Sequence, residues 1–290
     1  MKSIWKKLGA VLLVGILALT ATACGSSSKS DSSSSKSSSK SEGTLNNYSK
    51  DKPVTVKVGL TAAIYKEIWD PIAKDLKKEG INIEQVQFSD YVTPDEALEN
   101  GEVTITSHQH HAFLKSTVKD KGWNDLVSAG DTFIIAMNLY SKKYKDVKDI
   151  PDKATIAIPN DASNEGRALK LLADAGLIKL NDDENPNLSS ITENPKNLEF
   201  KELNAADVAP ALPDVDAAVI NGNYALDADI NPDSCIYKET KYSDDSYFCL
   251  IAVKEKNKDT KAVKRIVERF QSDATKKVFK DKFNGYFVPA

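Results

Sequence analysis

Residues 54–88 read VTVKVGLTAAIYKEIWDPIAKDLKKEGINIEQVQF. Val54, Val56, Val58 and Leu60 alternate with Thr55, Lys57 and Gly59, the period-two pattern of a strand with one face in a core. Ile64, Ile68, Ile72 and Leu76 then recur every four residues up to Gly80, which predicts a helix, with a kink or a restart at Pro71 and Asp70 as its cap. Ile81 to Phe88 returns to the strand pattern. A strand, a helix and a second strand joined in this way predict a parallel pair, and hence an α/β fold.

The alternation continues downstream. Thr93-Pro94-Asp95-Glu96 has the form of a capping box with proline at the first helical position, opening a helix that ends near Gly101. Val103 to Thr106 reads as a short strand, about His111 to Lys121 as a helix, and Leu126 to Ala129 and Phe133 to Leu139 as strands. Ala154 to Ile158 begins another strand-to-helix unit that runs through Arg167 to Gly176. Residues 181–197 are rich in Asn, Asp, Pro and Ser and read as a long loop. Leu198 to Leu203, Ala217 to Ile220 and Tyr247 to Val253 read as later strands, and two helices close the chain. Two clusters of such units, with the last strand and helices returning late, predict two lobes joined by two crossings. The expected division places residues 53–137 with 247–290 in lobe 1 and 138–246 in lobe 2.

Upstream lies a different kind of sequence. Lys2, Lys6 and Lys7 precede an apolar and small-residue run from Leu8 to Ala23, too short for the roughly 20 residues that cross a bilayer, so residues 1–23 read as an export signal. Thr20-Ala21-Thr22-Ala23-Cys24-Gly25 resembles a lipobox, with Ala21 where Leu, Val or Ile is usual, which makes Cys24 the expected lipidation site. From Ser26 to Ser41 there are 12 serines, the rest being Lys or Asp. That composition buries no apolar area, so residues 24–50 are expected to form a disordered tether spanning roughly 25–30 Å. Of the 290 residues, 41% are hydrophobic and 28% charged, enough for a substantial core. Without the three signal lysines, 36 basic residues face 42 acidic ones, and there is no long basic run, which argues against a nucleic-acid partner. Outside the cytoplasm a disulfide between Cys235 and Cys249 is compatible with the redox environment and would add about 3 kcal/mol; two free thiols are the alternative.

The chain lacks the G-x-S-x-G, H-E-x-x-H, Walker, dinucleotide and C-x-x-C patterns, so nothing in it favours an enzyme or a resident cofactor. Three segments remain. Ser107-His108-Gln109-His110-His111 holds every histidine of the chain at the end of a predicted strand, where α/β folds bind ligands. His108 and His110 are read as an aromatic, hydrogen-bonding pocket wall and His111 as structural, with zinc binding by His108, His110 and His111 as the alternative. Asn160 to Arg167 follows a strand and opens a helix whose first turn attracts anions and whose Arg167 suits a carboxylate; plain capping by Asp161 or Ser163 is the competing reading. Asn221 and Asn223 end the strand Val219-Ile220, and an amide both donates and accepts, as a zwitterion requires.

Together these segments resemble the NlpA, or methionine-binding, lipoproteins, the substrate-binding components of methionine ABC importers, from about Val54 to the C-terminus. The resemblance is carried by Phe88-Ser89-Asp90-Tyr91-Val92 with Pro94, Gln109-His110, Tyr140-Ser141-Lys142-Lys143, Ile158-Pro159-Asn160-Asp161 through Arg167, Gly176-Leu177-Ile178-Lys179-Leu180, Glu193 to Leu198, and Ala218-Val219-Ile220-Asn221. It implies a type II periplasmic-binding-protein-like fold with the ligand between lobes that hinge about crossings near Thr132 to Tyr140 and Ser246 to Val253. Arg167 would hold the ligand α-carboxylate, and Asn164 and Asn221 would bond its polar groups. Tyr91, His108, His110 and Phe113 would wall the side-chain pocket. The implied partners are an amino acid, a permease and its ATPase, and the membrane through the lipid, with the protein a monomer on the extracytoplasmic face of the cell membrane. Three departures stand out: His108 replaces a usual phenylalanine, Phe113 a usual downstream tyrosine, and Ala63-Ile64 a usual Gly-Pro.

Overall fold

The fold grows from β1 (Val54–Leu60), whose Val54, Val56, Val58 and Leu60 side chains are buried while Thr55 and Lys57 are exposed. The computed structural model describes residues 43–240, 245–283 and 286–289. The expected signal, Cys24 and most of the serine tether lie outside them. Residues 43–50, expected to belong to that tether, instead form a turn docked on the folded body. Leu45 and Tyr48 pack against the core, and the Leu45 carbonyl accepts from Ala262 N at 2.9 Å. Two apolar side chains at that spacing outweigh the polar composition around them.

After β1 come α1 (Ile64–Lys77), β2 (Ile81–Gln87), α2 (Thr93–Glu99), β3 (Ile105–Thr106), α3 (His111–Lys121), β4 (Leu126–Asp131) and β5 (Phe133–Ile135). Next are β6 (Met137–Tyr140), β7 (Thr155–Pro159), α4 (Ala162–Asp174), β8 (Lys179–Leu180), β9 (Ile191–Glu193) and β10 (Glu199–Leu203). The chain continues through α5 (Ala205–Ala211), β11 (Ala217–Asn221), α6 (Gly222–Asp227), β12 (Leu250–Lys254), α7 (Lys261–Phe270), α8 (Asp273–Phe283) and β13 (Phe287–Pro289).

The first sheet has the order β2-β1-β3-β12-β4 and the second β10-β7-β11-β6. β1 runs parallel to β2 and β3, and β7 parallel to β10 and β11, as the strand-helix-strand reading predicts. Each sheet has its own core. One packs β1 against Tyr65, Ile68, Trp69 and Ile72 of α1 and a cluster of phenylalanines, among them Phe133, Phe270 and Phe279. The other packs Ile156 and Ile158 against Leu169 and Leu172 of α4. Fully burying each such side chain contributes about 1.5–3 kcal/mol, so each lobe has the means to hold itself together.

Four local expectations change. Pro71 sits inside one continuous α1, and Asp70 bonds Lys66 and Gln85 rather than capping a second helix. At α2 the cap is Asp90, whose Oδ1 accepts from Val92 N and Thr93 N at 2.8 Å, so the box is not built by Thr93. The run Phe133 to Leu139 is not one strand: β5 pairs with β13, and β6 joins the second sheet. The first crossing is the break between them at Ala136. β12 is a member of the first sheet, not a crossing, so the chain returns from the second sheet between Glu239 and Cys249.

Gly222 sits where the lobes meet. A Cβ there would lie 2.5 Å from Ile135 Cγ1 and 2.6 Å from the Ala136 carbonyl oxygen, so only glycine lets α6 approach the first crossing this closely.

Candidate functional site

The C-terminal ends of β3, β7 and β11 converge on one narrow interlobe cavity, with space for little more than a water molecule in this tightly closed arrangement. Tyr91, His108, His110, Phe113, Asn164, Arg167 and Asn221, predicted from distant stretches of sequence, all line it. Tyr65, Gln109, Ile135, Asn223 and Cys249 complete the wall.

One end is aromatic. The Tyr91 ring lies 5.7 Å from Phe113, 6.0 Å from His108 and 4.9 Å from Tyr224, centroid to centroid. Tyr91 Oη donates to Asn223 Oδ1 at 2.7 Å, which joins the lobes at the back of the cavity. Burial holds the Tyr91 phenol well above its usual range, so it stays a donor.

The other end is polar and its bonds follow one direction. Phe113 N donates to His110 Nδ1 at 3.1 Å, so the proton of this neutral ring is on Nε2, which donates to Asn164 Oδ1 at 3.3 Å. Asn221 Nδ2 donates to the same oxygen at 2.9 Å, and Asn164 Nδ2 donates to Asp161 at 2.9 and 3.0 Å. Asn164 thus orients Asn221 through its amide oxygen and is itself held by Asp161 through its amide nitrogen, while it lines the cavity. Asn221 Oδ1 is left buried with no partner among the described residues, an acceptor suited to an ammonium group. The start of α4 is capped by Asp161, which accepts from Asn164 N at 2.9 Å, so the anion seat expected there is filled from within the chain. Burial pushes the Asp161 carboxyl up, and burial pushes His110 down to about 3.

Arg167 is not on a solvated face; it is 3% exposed. Its Nε donates to Glu239 Oε1 at 2.8 Å and its Nη2 to Glu239 Oε2 at 2.6 Å and to the Ile135 carbonyl at 2.9 Å. The guanidinium carbon lies 4.5 Å from the Tyr247 ring centroid. The Nε–Nη2 edge of the guanidinium is therefore taken by Glu239. Glu239 and Tyr247 were not recognisable in the sequence, because they sit in a polar stretch without periodicity and gain meaning only where that stretch returns past α4.

The zinc reading fails on geometry. His108 Nε2 is committed to the Tyr91 carbonyl at 2.9 Å, His110 to Phe113 and Asn164, and His111 to Asp131 at 2.6 Å. Among the described residues no set of three metal-ligating side chains comes together. Cys235 and Cys249 are free thiols. Cys249 packs in the first core and Cys235 against the cluster around Tyr140 and Tyr224, so the two belong to different packing environments. Burial pushes the Cys249 thiol up to about 12.

Two lobes, two crossings and an interlobe cavity with one polar and one aromatic end define a two-lobed substrate-binding protein. The chain belongs to the NlpA lipoprotein family, whose model matches residues 56–290. It is 39% identical to the D-methionine-binding lipoprotein MetQ of Escherichia coli O157:H7 over 241 residues, covering 80% of this chain and 87% of that protein. A nutrient-binding protein from Burkholderia cenocepacia, solved bound to methionine, is 44% identical with a TM-score of 0.77, covering 81% of this chain and 99% of that one. The substrate-binding protein of a methionine transporter from Streptococcus pneumoniae is 36% identical with a TM-score of 0.77, covering 81% and 95%.

Proposed function

We propose that this chain is the lipid-anchored substrate-binding component of an ABC importer, capturing a free amino acid of the methionine type between its lobes. The cavity carries the reading: a zwitterion-compatible end at Asn221 and Arg167 opposes an aromatic end at Tyr91 and Phe113, and opening of the lobes admits the ligand between them. The ligand ammonium donates to Asn221 Oδ1. The ligand carboxylate lies beside the Arg167 guanidinium and competes for it with Glu239. The lobes divide at Ala136 and again between Glu239 and Cys249, so that Met137 belongs to lobe 2 rather than to lobe 1 as expected, and closure about the two crossings excludes water from the ligand.

Acylated Cys24 and the residues up to 42 hold the folded body at the extracytoplasmic face of the membrane. There a tethered monomer meets its permease at high effective concentration, with the permease's ATPase driving import. The test is calorimetric titration of the mature chain in detergent with each amino acid. Saturable binding of one or a few supports the reading, and silence across the panel rejects it. Mass spectrometry of the mature N-terminus tests Cys24 separately.

A further inference from the structure

His108 stands apart from the rest of the aromatic wall. It is 3% exposed, and its ring lies 6.0 Å from Tyr91 and 6.3 Å from Phe113, where a hydrocarbon ring would pack equally well. A carbonyl oxygen accepts but never donates, so the 2.9 Å contact of Nε2 with the Tyr91 carbonyl places the imidazole proton on Nε2. Nδ1 is then a lone-pair acceptor, and it is buried with no partner among the described residues. Burial also holds the ring neutral by pushing it down to about 4, so the lone pair persists at neutral pH. A buried acceptor without a partner is costly, and a ligand donor offered to it is correspondingly favourable.

The polar end of the cavity does not supply that donor. Asn221 Oδ1, the acceptor suited to the ammonium, is presented from β11 in the second sheet, whereas His108 follows β3 in the first. One ligand spanning the cavity meets His108 with its side chain. Resting on the amino-acid reading above, we propose that His108 sets side-chain selectivity, its Nδ1 accepting a hydrogen bond from an N–H or O–H on the ligand side chain and so favouring a donor-bearing chain of methionine's length over methionine's own methyl thioether. Glutamine is the simplest probe of that class: its amide nitrogen is as many bonds from Cα as the methionine methyl. Norleucine supplies the same length with no polar atom, and methionine sulfoxide supplies an oxygen that only accepts.

Titration of the mature protein in detergent with these four, on the natural chain and on His108→Phe, gives a ratio of affinities for each. The variant should shift the methionine-to-glutamine preference toward methionine by about tenfold or more, raise norleucine in parallel, and leave methionine sulfoxide the weakest ligand of the natural chain. A ratio unchanged within about twofold overturns the proposal while leaving the amino-acid reading intact, and silence of the natural chain toward every amino acid overturns both. His108→Asn, whose amide oxygen stands near the Nδ1 position, should keep the natural order of preference; adoption of the phenylalanine order overturns the proposal. Nitrogen-15 spectra of the natural chain give an independent check, since the Nδ1 resonance should move on adding glutamine and stay in place on adding norleucine.

Discussion

Glu239→Ala removes the carboxylate that faces a nearly dry guanidinium. In the folded chain Glu239 Oε1 and Oε2 accept from Arg167 Nε and Nη2 at 2.8 and 2.6 Å, and Oε2 also accepts from Met137 N at 2.8 Å. Arg167 is 3% exposed and Glu239 8%, so solvent screens the pair little. Removing one partner of such a pair costs roughly 3–5 kcal/mol, because the remaining charge keeps its desolvation penalty and loses its main compensation. For a folded body of this size that lowers the melting temperature by roughly 6–20 °C. Removing both charges with Arg167→Met and Glu239→Leu should return stability to within about 2 kcal/mol of the natural chain, since an apolar pair of similar volume carries no such penalty. Urea unfolding of the natural chain, Arg167→Met, Glu239→Leu and the double variant, ligand-free at neutral pH, measures the coupling. A single variant within about 1 kcal/mol of the natural chain, or a double variant with the two single losses simply added, refutes the reasoning. Ligand titration of the double variant then isolates the binding part of Arg167: a stable protein that no longer binds places the guanidinium on the ligand, and unchanged affinity confines it to the fold.

The remaining predictions concern pH, the interlobe cap and the thiols. Burial pushes the Asp95 carboxyl from 3.8 up to about 8, so the folded chain keeps a proton that the unfolded chain releases. The corresponding stability is full below pH about 4 and lost as pH rises through about 8, and Asp95→Asn should flatten that slope in urea midpoints measured across the range. His108 and His110 are held down to about 4 and about 3, so the unfolded chain gains protons first as pH falls below 6.5, and stability should decline on that side too. Asp227 accepts from Ala63 N and Ile64 N at 2.8 and 3.0 Å, capping α1 of one lobe from α6 of the other. Asp227→Ala should cost about 1 kcal/mol in chemical unfolding and weaken ligand binding without changing which ligand is preferred; equal affinity would remove the link to lobe closure. Thiol titration should find Cys249 unreactive in the folded protein, with both Cys235 and Cys249 reacting after unfolding without reductant; a missing pair of thiols would mean a disulfide.

What the sequence made legible was local or periodic. Val54 to Leu60 alternates because one face of β1 is buried, and the histidine segment, Asn160 to Arg167 and Asn221 all follow strands, the place where an α/β sheet presents its loops. Three kinds of feature escaped. Phe133 to Leu139 is apolar except for Asn138 because both neighbouring strands are buried, so nothing in the pattern marks the break at Ala136 where the chain changes sheets. Asp90 stands three residues before α2 and Thr93 opens it, and since both have capping chemistry only backbone conformation chooses between them. Glu239 is one acidic residue in a polar stretch, and its role exists only because the chain returns past Arg167.

That return explains why the site and the crossings cannot be treated separately. Arg167 on α4 bonds the Ile135 carbonyl of the first crossing and the Glu239 carboxylate of the second, while its side chain also lines the cavity. Asn221, with an unpartnered acceptor in the same cavity, is followed directly by Gly222, which packs against Ile135 and Ala136. A ligand that engages Arg167 or Asn221 therefore acts on groups that touch the first crossing, and through Arg167 on the second as well. Its differential affinity for the closed arrangement is expressed where the lobes turn, with no relay through either core. Occupancy and lobe angle are then one equilibrium, and substitutions at Gly222 should alter affinity although the residue contributes no side chain to the cavity. Gly222→Ala, whose methyl meets Ile135 and the Ala136 carbonyl, should weaken every ligand by a common factor; a change in the order of preference among ligands would break the argument.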